Sequence, residues 1–497
     1  LGKKIIWNLD YKTGKKWKNK YFSDIDYCDL SEPSDVKIPW EISRLQWLIP
    51  AGQIYVMTGD EKYAEAAKKI IEEWIEENPY GYSVNWSCTM EVAMRIISWI
   101  WLFNAFSSSK SWKEFNFQCS FIKTLYLHVE FTEKHIELSD INGNHLTADA
   151  AGLVFGSLFF DKTKVTDKWM KIGWGLLTNE IEKQVHKDGV NFEGSISYHR
   201  LVTELFLWSA LYREAHGYEV CQTYKNKLNK MSEYILHYSN PNCIAPIFGD
   251  NDNARVIPLG SQNNNNHIYL YFIIKRFLNI KPKITFKKSA IEEYLFVFGS
   301  VSIPKENNIK LTEPKSKQFN AGGSYILRNK GDYVFIDCAE VGMMGRGGHG
   351  HNDCLSFEAS LNSTSLIRDS GCFTYTSSYK ERNLFRSTSY HNTPMINNEE
   401  INKFKNERDL WSIQYDAIPN LLNWIDNENH TIFVGEHNGY MKLSERVKPK
   451  RKIILDKVNS LIYISDKISC LKQVDIEIPI HLDPELEIEI KDDKKIN

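Results

Sequence analysis

With 497 residues, the chain is long enough to form two or more domains that each bury a hydrophobic core. Its 61 basic and 63 acidic residues leave a formal charge of -2, so no general electrostatic attraction to nucleic acid or to an anionic membrane is expected. The apolar stretch around residues 96–106 is too short to span a bilayer, so membrane insertion is not expected either.

The N-terminal half has the hydrophobic period of helices. From about residue 42 to residue 277, apolar residues recur at three- and four-residue spacing in successive blocks. Examples are the segments 62–77, 89–106, 121–136, 146–160 and 197–216. Short polar breaks containing Gly, Pro or Asn separate these blocks, which predicts a stack of antiparallel helix pairs.

After about residue 281 the hydrophobic period changes to two, which is typical of strands. Three hairpins are predicted, with turns at Asn329-Lys-Gly-Asp332, at Asn362-Ser363 and around Asn459. We place the domain boundary between residues 281 and 318 and set it at 290/291. The predicted domains are therefore 1–290, helical, and 291–497, antiparallel β. Two short runs, 294–298 and 301–303, are interpreted as possible first strands.

The order of elements limits the architecture. Helices followed by strands, without mixing, predict two layers of different kind rather than alternating βαβ units. A cleft between the two layers is the natural place for a ligand. The nine cysteines include no CxxC pair and are interpreted as free thiols rather than as a disulfide scaffold.

The densest polar cluster is Gly345-Arg-Gly-Gly-His-Gly-His-Asn-Asp353. On an extended segment His349 and His351 point to the same side, so they can share a metal or divide the work between metal and substrate. Asp369 and His391 follow at predicted strand edges, and two imidazoles with a carboxylate suit zinc. The alternative is a histidine-rich loop that is hydrogen-bonded to strand ends.

Two further clusters lie in the helical half. Asn144-His145 opens the helix predicted from residue 146, and Asn144 is either its N-cap or a site residue. Tyr198 lies in the first turn of the next predicted helix, 197–216, where a tyrosine usually packs in the core. In the functional alternative, the helix N-terminus and the neighbouring His199 or Arg200 favour the phenolate, so that Tyr198 acts as a base.

Five ordered motifs together resemble the heparinase II/III family and its alginate-lyase relatives. They are Asn144-His145, Glu193-Gly-Ser-Ile-Ser-Tyr198, Phe248-Gly-Asp-Asn-Asp252, His349-Gly-His351 and Arg382-Asn-Leu-Phe-Arg-Ser-Thr-Ser-Tyr-His-Asn-Thr393. Asn85-Trp86, with Glu91 and Arg95 in the following helix, is similar to the N-terminal region of that family.

The resemblance implies an incomplete α/α toroid joined to an antiparallel β-sandwich, with the substrate in the cleft between them. It also implies a polysaccharide lyase that cuts uronic-acid-containing glycans by β-elimination. Asn144 would neutralise the uronate carboxylate, and Tyr198 and His349 would transfer protons, with either of them as the base. His351, Asp369 and His391 would hold a structural divalent metal, expected to be zinc, and no organic cofactor is expected.

The remaining candidates concern substrate binding. His145, Glu193, His199 and Asn85 lie in or beside the motifs, and Trp86 is a candidate platform for sugar stacking. Arg382, Arg386, Arg255 and Arg95 can pair with carboxylate or sulfate, although each could equally form an interdomain salt bridge. The expected partner is an acidic polysaccharide or oligosaccharide.

Two other functions remain open from the sequence. A glycoside hydrolase would pair Glu193 with Asp250 or Asp252 across a glycosidic bond. A glycan-binding or polysaccharide-assembly protein would keep the fold without turnover. Members of the family are often exported, so a periplasmic or secreted location is expected, with the cytoplasm as the alternative because no leader is visible.

Overall fold

The computed structural model describes residues 4–300, 313–492 and 495–496. The N-terminal region is helical, with α1 Lys37–Ser43, α2 Ile49–Thr58, α3 Glu61–Glu77, α4 Thr89–Ala105, α5 Phe115–Lys134, α6 Asn144–Phe159, α7 Lys164–Gln184, α8 Ile196–Ala215, α9 Gln222–Tyr238, α10 Ile268–Phe277 and α11 Ile291–Phe298. All five helical segments predicted from the hydrophobic period are confirmed. Within the described residues, no helix is both long and apolar enough to cross a membrane.

The C-terminal region is mostly β. Its elements are β1 Lys317–Phe319, β2 Ser324–Asn329, β3 Asp332–Asp337, β4 Phe357–Leu361, β5 Thr364–Ile367, α12 Tyr379–Arg386, β6 Met395–Ile396, β7 Pro419–Asp426, β8 His430–His437, β9 Lys448–Asp456, β10 Leu461–Ser469, β11 Ile476–Glu477, β12 Ile490–Asp492 and β13 Lys495–Ile496. Where the structure describes the chain, β1 to β5 form a five-stranded sheet in sequence order, and a four-stranded sheet has the order β10-β9-β8-β7. Two small sheets pair β6 with β11 and β12 with β13, and all the pairs are antiparallel.

The three predicted hairpins are confirmed. Asn329 pairs with Asp332 across a two-residue turn, and the β4–β5 turn passes through Asn362 and Ser363, both with positive φ. One strand prediction is wrong, because residues 294–298 lie in α11, while the run 301–303 lies outside the described residues. The boundary at 290/291 stays a prediction.

The five-stranded sheet lies between the helices and the second sheet. Ile326 and Phe335 belong to the hydrophobic core shared with the helices, whereas Val334 and Ile336 belong to the core shared with the four-stranded sheet. Strands β2 and β3 are therefore buried on both faces, and their near-continuous apolar sequences follow from that position.

Helix α6 is the central helix of the helical region and determines where the site begins. It packs closely because small residues lie at its crossings: a Cβ added to Gly152 would be 2.8 Å from Ala93 Cβ on α4. A Cβ on Gly156 would be within 2.4 Å of Val129 on α5. These contacts fix the first turn of α6 at the boundary with the β region.

Candidate functional site

A cavity of about 430 Å³ opens between the helical region and the loops of the β region. Asn144, Tyr198 and His349 all line it. The wall is completed by basic, acidic and aromatic side chains, among them Lys37, Arg44, Glu137, His145, Asp252, Arg346 and Trp411. The structure thus brings the three predicted catalytic residues to one place from two separately folded regions.

Three glycines join the chain segments that carry this site. A Cβ on Gly350 would lie 2.0 Å from Val341 O, and one on Gly249 would lie 2.3 Å from Gly194 O. Gly194 and Gly249 also have positive φ, which other residues rarely adopt. The glycines let the backbones of these segments touch, so His349, Asp250 and the start of α8 are held together.

Asn144 is the first residue of α6, and its side chain makes no capping hydrogen bond, since Gly143 occupies the N-cap position. Its amide Nδ2 donates to Glu193 Oε2 at 2.8 Å and faces His349 Nε2 at 3.2 Å. The N-cap interpretation is therefore wrong. Asn144 presents an amide donor to the cavity wall beside the imidazole.

His349 is oriented by a buried carboxylate. Asp250 Oδ2 lies 2.9 Å from His349 Nδ1, and Arg382 binds both oxygens of Asp250. Burial by itself would raise the pKa of Asp250. The charge of Arg382 and the hydrogen bonds from His349 and His351 instead hold this pKa well below its ordinary value. An ionised carboxylate only accepts, so we assign the hydrogen to Nδ1, which leaves the lone pair of Nε2 beside Asn144.

Tyr198 stacks on this imidazole, with ring centroids 3.6 Å apart and an interplanar angle of 17°. Its hydroxyl donates to Asp252 Oδ2 at 3.0 Å, and Lys37 Nζ lies 2.5 Å from the same oxygen. Burial and the charges of Asp252 and Asp250 raise the pKa of Tyr198 well above its usual value. The phenol is therefore neutral and available as a proton donor.

The expectation of a phenolate favoured by His199 or Arg200 is wrong. His199 Nδ1 accepts from Asn191 N, and burial lowers its pKa to about 3, so this imidazole is uncharged. Arg200 donates to the backbone carbonyls of Asn264, Asp252 and Ala254. Neither side chain gives its hydrogen bonds to the phenol, and the negative carboxylates that face it have the opposite effect.

Several predicted substrate-binding residues are structural instead. Asn85 donates to Trp7 O and Asn78 Oδ1 inside the helical core. Trp86 is 1% exposed and packs on Trp74 and His128, so it cannot stack on a sugar. Neither Asn85 nor Trp86 lines the cavity.

Most of the predicted arginines are also structural. Arg255 is buried in ion pairs with Glu204 and Glu293. Arg386 donates to Asn383 and to Asp409 O, and Arg95 donates to His128 and to Asn85 O. Arg382 alone of the four acts on the site, through Asp250.

Glu193 and His145 lie on either side of Asn144. Glu193 is fully buried behind the amide, and burial raises its pKa. His145 lines the cavity, but its Nδ1 is 2.5 Å from Glu137 Oε2. Of the carboxylates considered for hydrolysis, Asp252 lines the cavity whereas Glu193 and Asp250 do not, which weighs against a hydrolase pair.

Comparison with known proteins identifies the family. A model of the heparinase II/III N-terminus matches residues 5–271, and one of the heparinase II/III-like C-terminal region matches residues 312–497. The chain belongs to the heparinase II/III family.

Two curated members are similar in sequence. The heparin-sulfate lyase of Bacteroides stercoris is 26% identical over 422 residues, which cover 79% of this chain, and that of Pedobacter heparinus is 24% identical over 488 residues, which cover 89% of it. The chain spans 58% and 67% of the lengths of these two relatives. The crystal structure of heparinase III matches with a TM-score of 0.69 at 20% identity, covering 97% of this chain and 72% of that one. The predicted fold, a helical region followed by antiparallel sheets, is thereby confirmed.

The family resemblance implies a metal, and the donors near His351 fit one. His351 Nδ1 and His391 Nε2 are buried and have no hydrogen-bond partner among the described residues. With Asp353 they form a group whose ligand atoms all lie within 4.8 Å of one another. Asp369, predicted as a ligand, instead accepts from His391 Nδ1 at 2.8 Å and so orients that ring.

The sequence interpretation missed four residues of the site. Trp411 is 38% exposed, lines the cavity and lies edge-on to His349, in the place where a sugar platform was expected from Trp86. Lys37 and Tyr375 both approach Asp252, and Arg346 lines the cavity with an exposed partner, Asp140. Arg346 lies inside the glycine-rich motif, which was a usable signal, whereas the other three lie outside every motif.

Proposed function

We propose that this chain is a lyase that cleaves an acidic, uronate-containing glycosaminoglycan by β-elimination. The single observation that carries the proposal is the convergence of an amide, a phenol and an imidazole on one cavity wall. The names of the curated relatives support heparan-type chains as the first substrates to test.

Each residue type suits one part of this reaction. Removal of the C5 proton builds negative charge on the uronate carboxylate, and the Asn144 amide is placed to donate to it. The C5 proton moves to Nε2 of His349, the C5–H electrons form the C4–C5 double bond, and the bond from C4 to the glycosidic oxygen breaks. The Tyr198 hydroxyl gives its proton to the departing oxygen.

The raised pKa of Tyr198 supports this division of roles, since a neutral phenol is an acid and not a base. Asp250 supports the role of His349 as the base, because it holds the proton on Nδ1 and so keeps Nε2 unprotonated. Return of the proton from His349 to the oxygen of Tyr198 would restore the starting state. The two rings lie side by side, with centroids 3.6 Å apart.

Charge on the cavity wall supports an acidic substrate. Lys37 and Arg44 are tied to Asp252 and Glu91, but the partner of Arg346 is the exposed carboxylate of Asp140. Water screens an exposed ion pair and makes it weak, so Arg346 can exchange Asp140 for a sulfate or carboxylate of the glycan.

We also propose that a structural zinc is held by His351, Asp353 and His391, with Asp369 orienting His391. Its contribution would be to fix the β-region loop that carries His349, since His351 is two residues away and binds the same Asp250.

The test is incubation with heparan sulfate, heparin, hyaluronan and alginate while the ultraviolet absorbance of the unsaturated uronate is recorded. We expect absorbance to rise with a heparan-type substrate and to be lost in Tyr198→Phe, with glycan binding retained. Tyr126→Phe, at an exposed position on α5 away from the cavity, is the control for removing a tyrosine hydroxyl and should leave the absorbance increase unchanged. New reducing ends without absorbance would show a hydrolase, and binding without either product would show a binding protein.

A further inference from the structure

A second group of metal-binding side chains lies beside the cavity. Cys88 precedes α4, Glu137 follows α5, and His145 is the second residue of α6. One ligand atom from each side chain lies within 4.8 Å of the other two. The mechanism proposed above uses none of the three.

One distance in this group is already close to that around zinc, and a second would lengthen when an ion binds. Zn–N and Zn–O bonds of about 2.0–2.2 Å and Zn–S bonds of about 2.3 Å place tetrahedral ligand atoms about 3.3–3.8 Å apart. Cys88 Sγ and His145 Nδ1 are 3.9 Å apart, which already suits a shared ion. His145 Nδ1 and Glu137 Oε2 are 2.5 Å apart and share a proton, so an ion would replace that proton and separate the two atoms by about 1 Å.

The group is held in place on one side and open on the other. Glu137 Oε1 accepts from Thr89 N at 3.0 Å, which fixes the carboxylate, and Cys88 is 2% exposed. Glu137 and His145 line the cavity, and the His145 side chain is half exposed, which gives an ion a route from solvent.

We propose that Cys88, Glu137 and His145 bind a thiophilic divalent cation of the zinc class at the edge of the cavity. This site is separate from the one near His351, which contains no thiol among its donors. A thiol with an imidazole and a carboxylate selects zinc-like ions over magnesium or calcium. Three protein ligands leave the fourth position to water or to an acidic group of a molecule in the cavity.

Cobalt(II) is the probe, because a cobalt–thiolate bond gives a charge-transfer band in the near ultraviolet. The full-length protein, freed of metal with a chelator, is titrated with Co²⁺, and we expect this band to saturate at one ion per chain. Zinc should then remove it, since such sites bind Zn²⁺ more tightly than Co²⁺. Donors at the His351 site lack sulfur, so an ion bound there does not give this band.

Variants assign the band to these residues. Cys88→Ser should abolish it, and Cys119→Ser, at an exposed position on α5, should leave it unchanged. His145→Ala alters a half-exposed side chain and is expected to weaken Co²⁺ binding about tenfold or more. Absence of the band from folded native protein, its persistence in folded Cys88→Ser, or its failure to respond to His145→Ala would each overturn the proposal.

Discussion

Asp250 lies between His349 and Arg382, with its Oδ2 2.9 Å from His349 Nδ1 and 2.7 Å from an arginine nitrogen. One carboxylate therefore sets the tautomer of the imidazole and neutralises a buried guanidinium. These two effects can be separated, because the first concerns turnover and the second concerns folding.

Asp250→Asn is expected to lower kcat by about 10²–10⁴-fold, because an amide no longer holds the proton on Nδ1 of His349. The same change leaves Arg382 buried without a counter-charge and should cost about 3–5 kcal/mol of unfolding free energy. Steady-state kinetics and urea unfolding measure the two losses.

The control is the double variant Asp250→Asn with Arg382→Met, which removes the unpaired charge as well. We expect it to recover most of the unfolding free energy while kcat stays low. Recovery of activity together with stability would contradict the role assigned to the carboxylate in orienting His349.

Trp411 and Trp86 should respond in opposite ways to replacement by alanine. Trp411→Ala removes an exposed aromatic face from the cavity and should raise KM by up to about tenfold, with little change in stability. Trp86→Ala empties a core position and should cost about 3–5 kcal/mol of unfolding free energy. Substrate titrations and urea unfolding of both variants check this, and an unchanged KM in Trp411→Ala would remove it from the binding surface.

The sequence predicted the order of the two regions and the three catalytic candidates, since helical and strand periods and local motifs are visible in a chain. Side-chain direction was not visible. Asn85-Trp86 belongs to a motif, yet Trp86 faces the core because the rings of Trp74, His128 and Phe131 surround it.

Long-range electrostatics explain the error at Tyr198. The pKa of Tyr198 depends on Asp250 and Asp252, which are more than 50 residues away in the chain, and on burial, rather than on its sequence neighbours. Residues 294–298 form a short, entirely apolar run like that of a buried strand, but Glu292 and Glu293 favour a helix start and Gly299 ends the helix with a positive φ. Arg255 then fixes this helix through its ion pair with Glu293.

His437 should make the stability of the protein sensitive to acid. Burial lowers its pKa to about 3, below the value of about 6.5 expected in the unfolded chain. Between these values the unfolded chain binds more protons, so stability present at neutral pH is lost as pH falls below about 6.5. His437→Asn retains an acceptor for Gly439 N and should lose about 2 kcal/mol less than the native protein between pH 7 and pH 5.

Urea unfolding at the two pH values measures this difference, and His216→Asn, at an exposed position, is the control for replacing a histidine as such. Equal pH dependence in the native protein and in His437→Asn would show that His437 is not buried as a neutral group.

Two glycine-to-alanine changes in neighbouring helices should have opposite signs. In Gly152→Ala the new methyl would lie 2.8 Å from Ala93 Cβ, so α6 and α4 must separate, at a cost of about 1–3 kcal/mol. Gly175 on α7 has nothing within 4 Å of an added Cβ, and Gly175→Ala should stabilise by about 0.4–1 kcal/mol through better helix propensity. Because Asn144 begins α6, a shift of that helix should also lower kcat in Gly152→Ala and leave it unchanged in Gly175→Ala. Urea unfolding and kinetics of the pair test this. Equal stability of the two variants would show that the α4–α6 crossing tolerates the added methyl group, and an unchanged kcat in Gly152→Ala would show that the crossing does not set the position of Asn144.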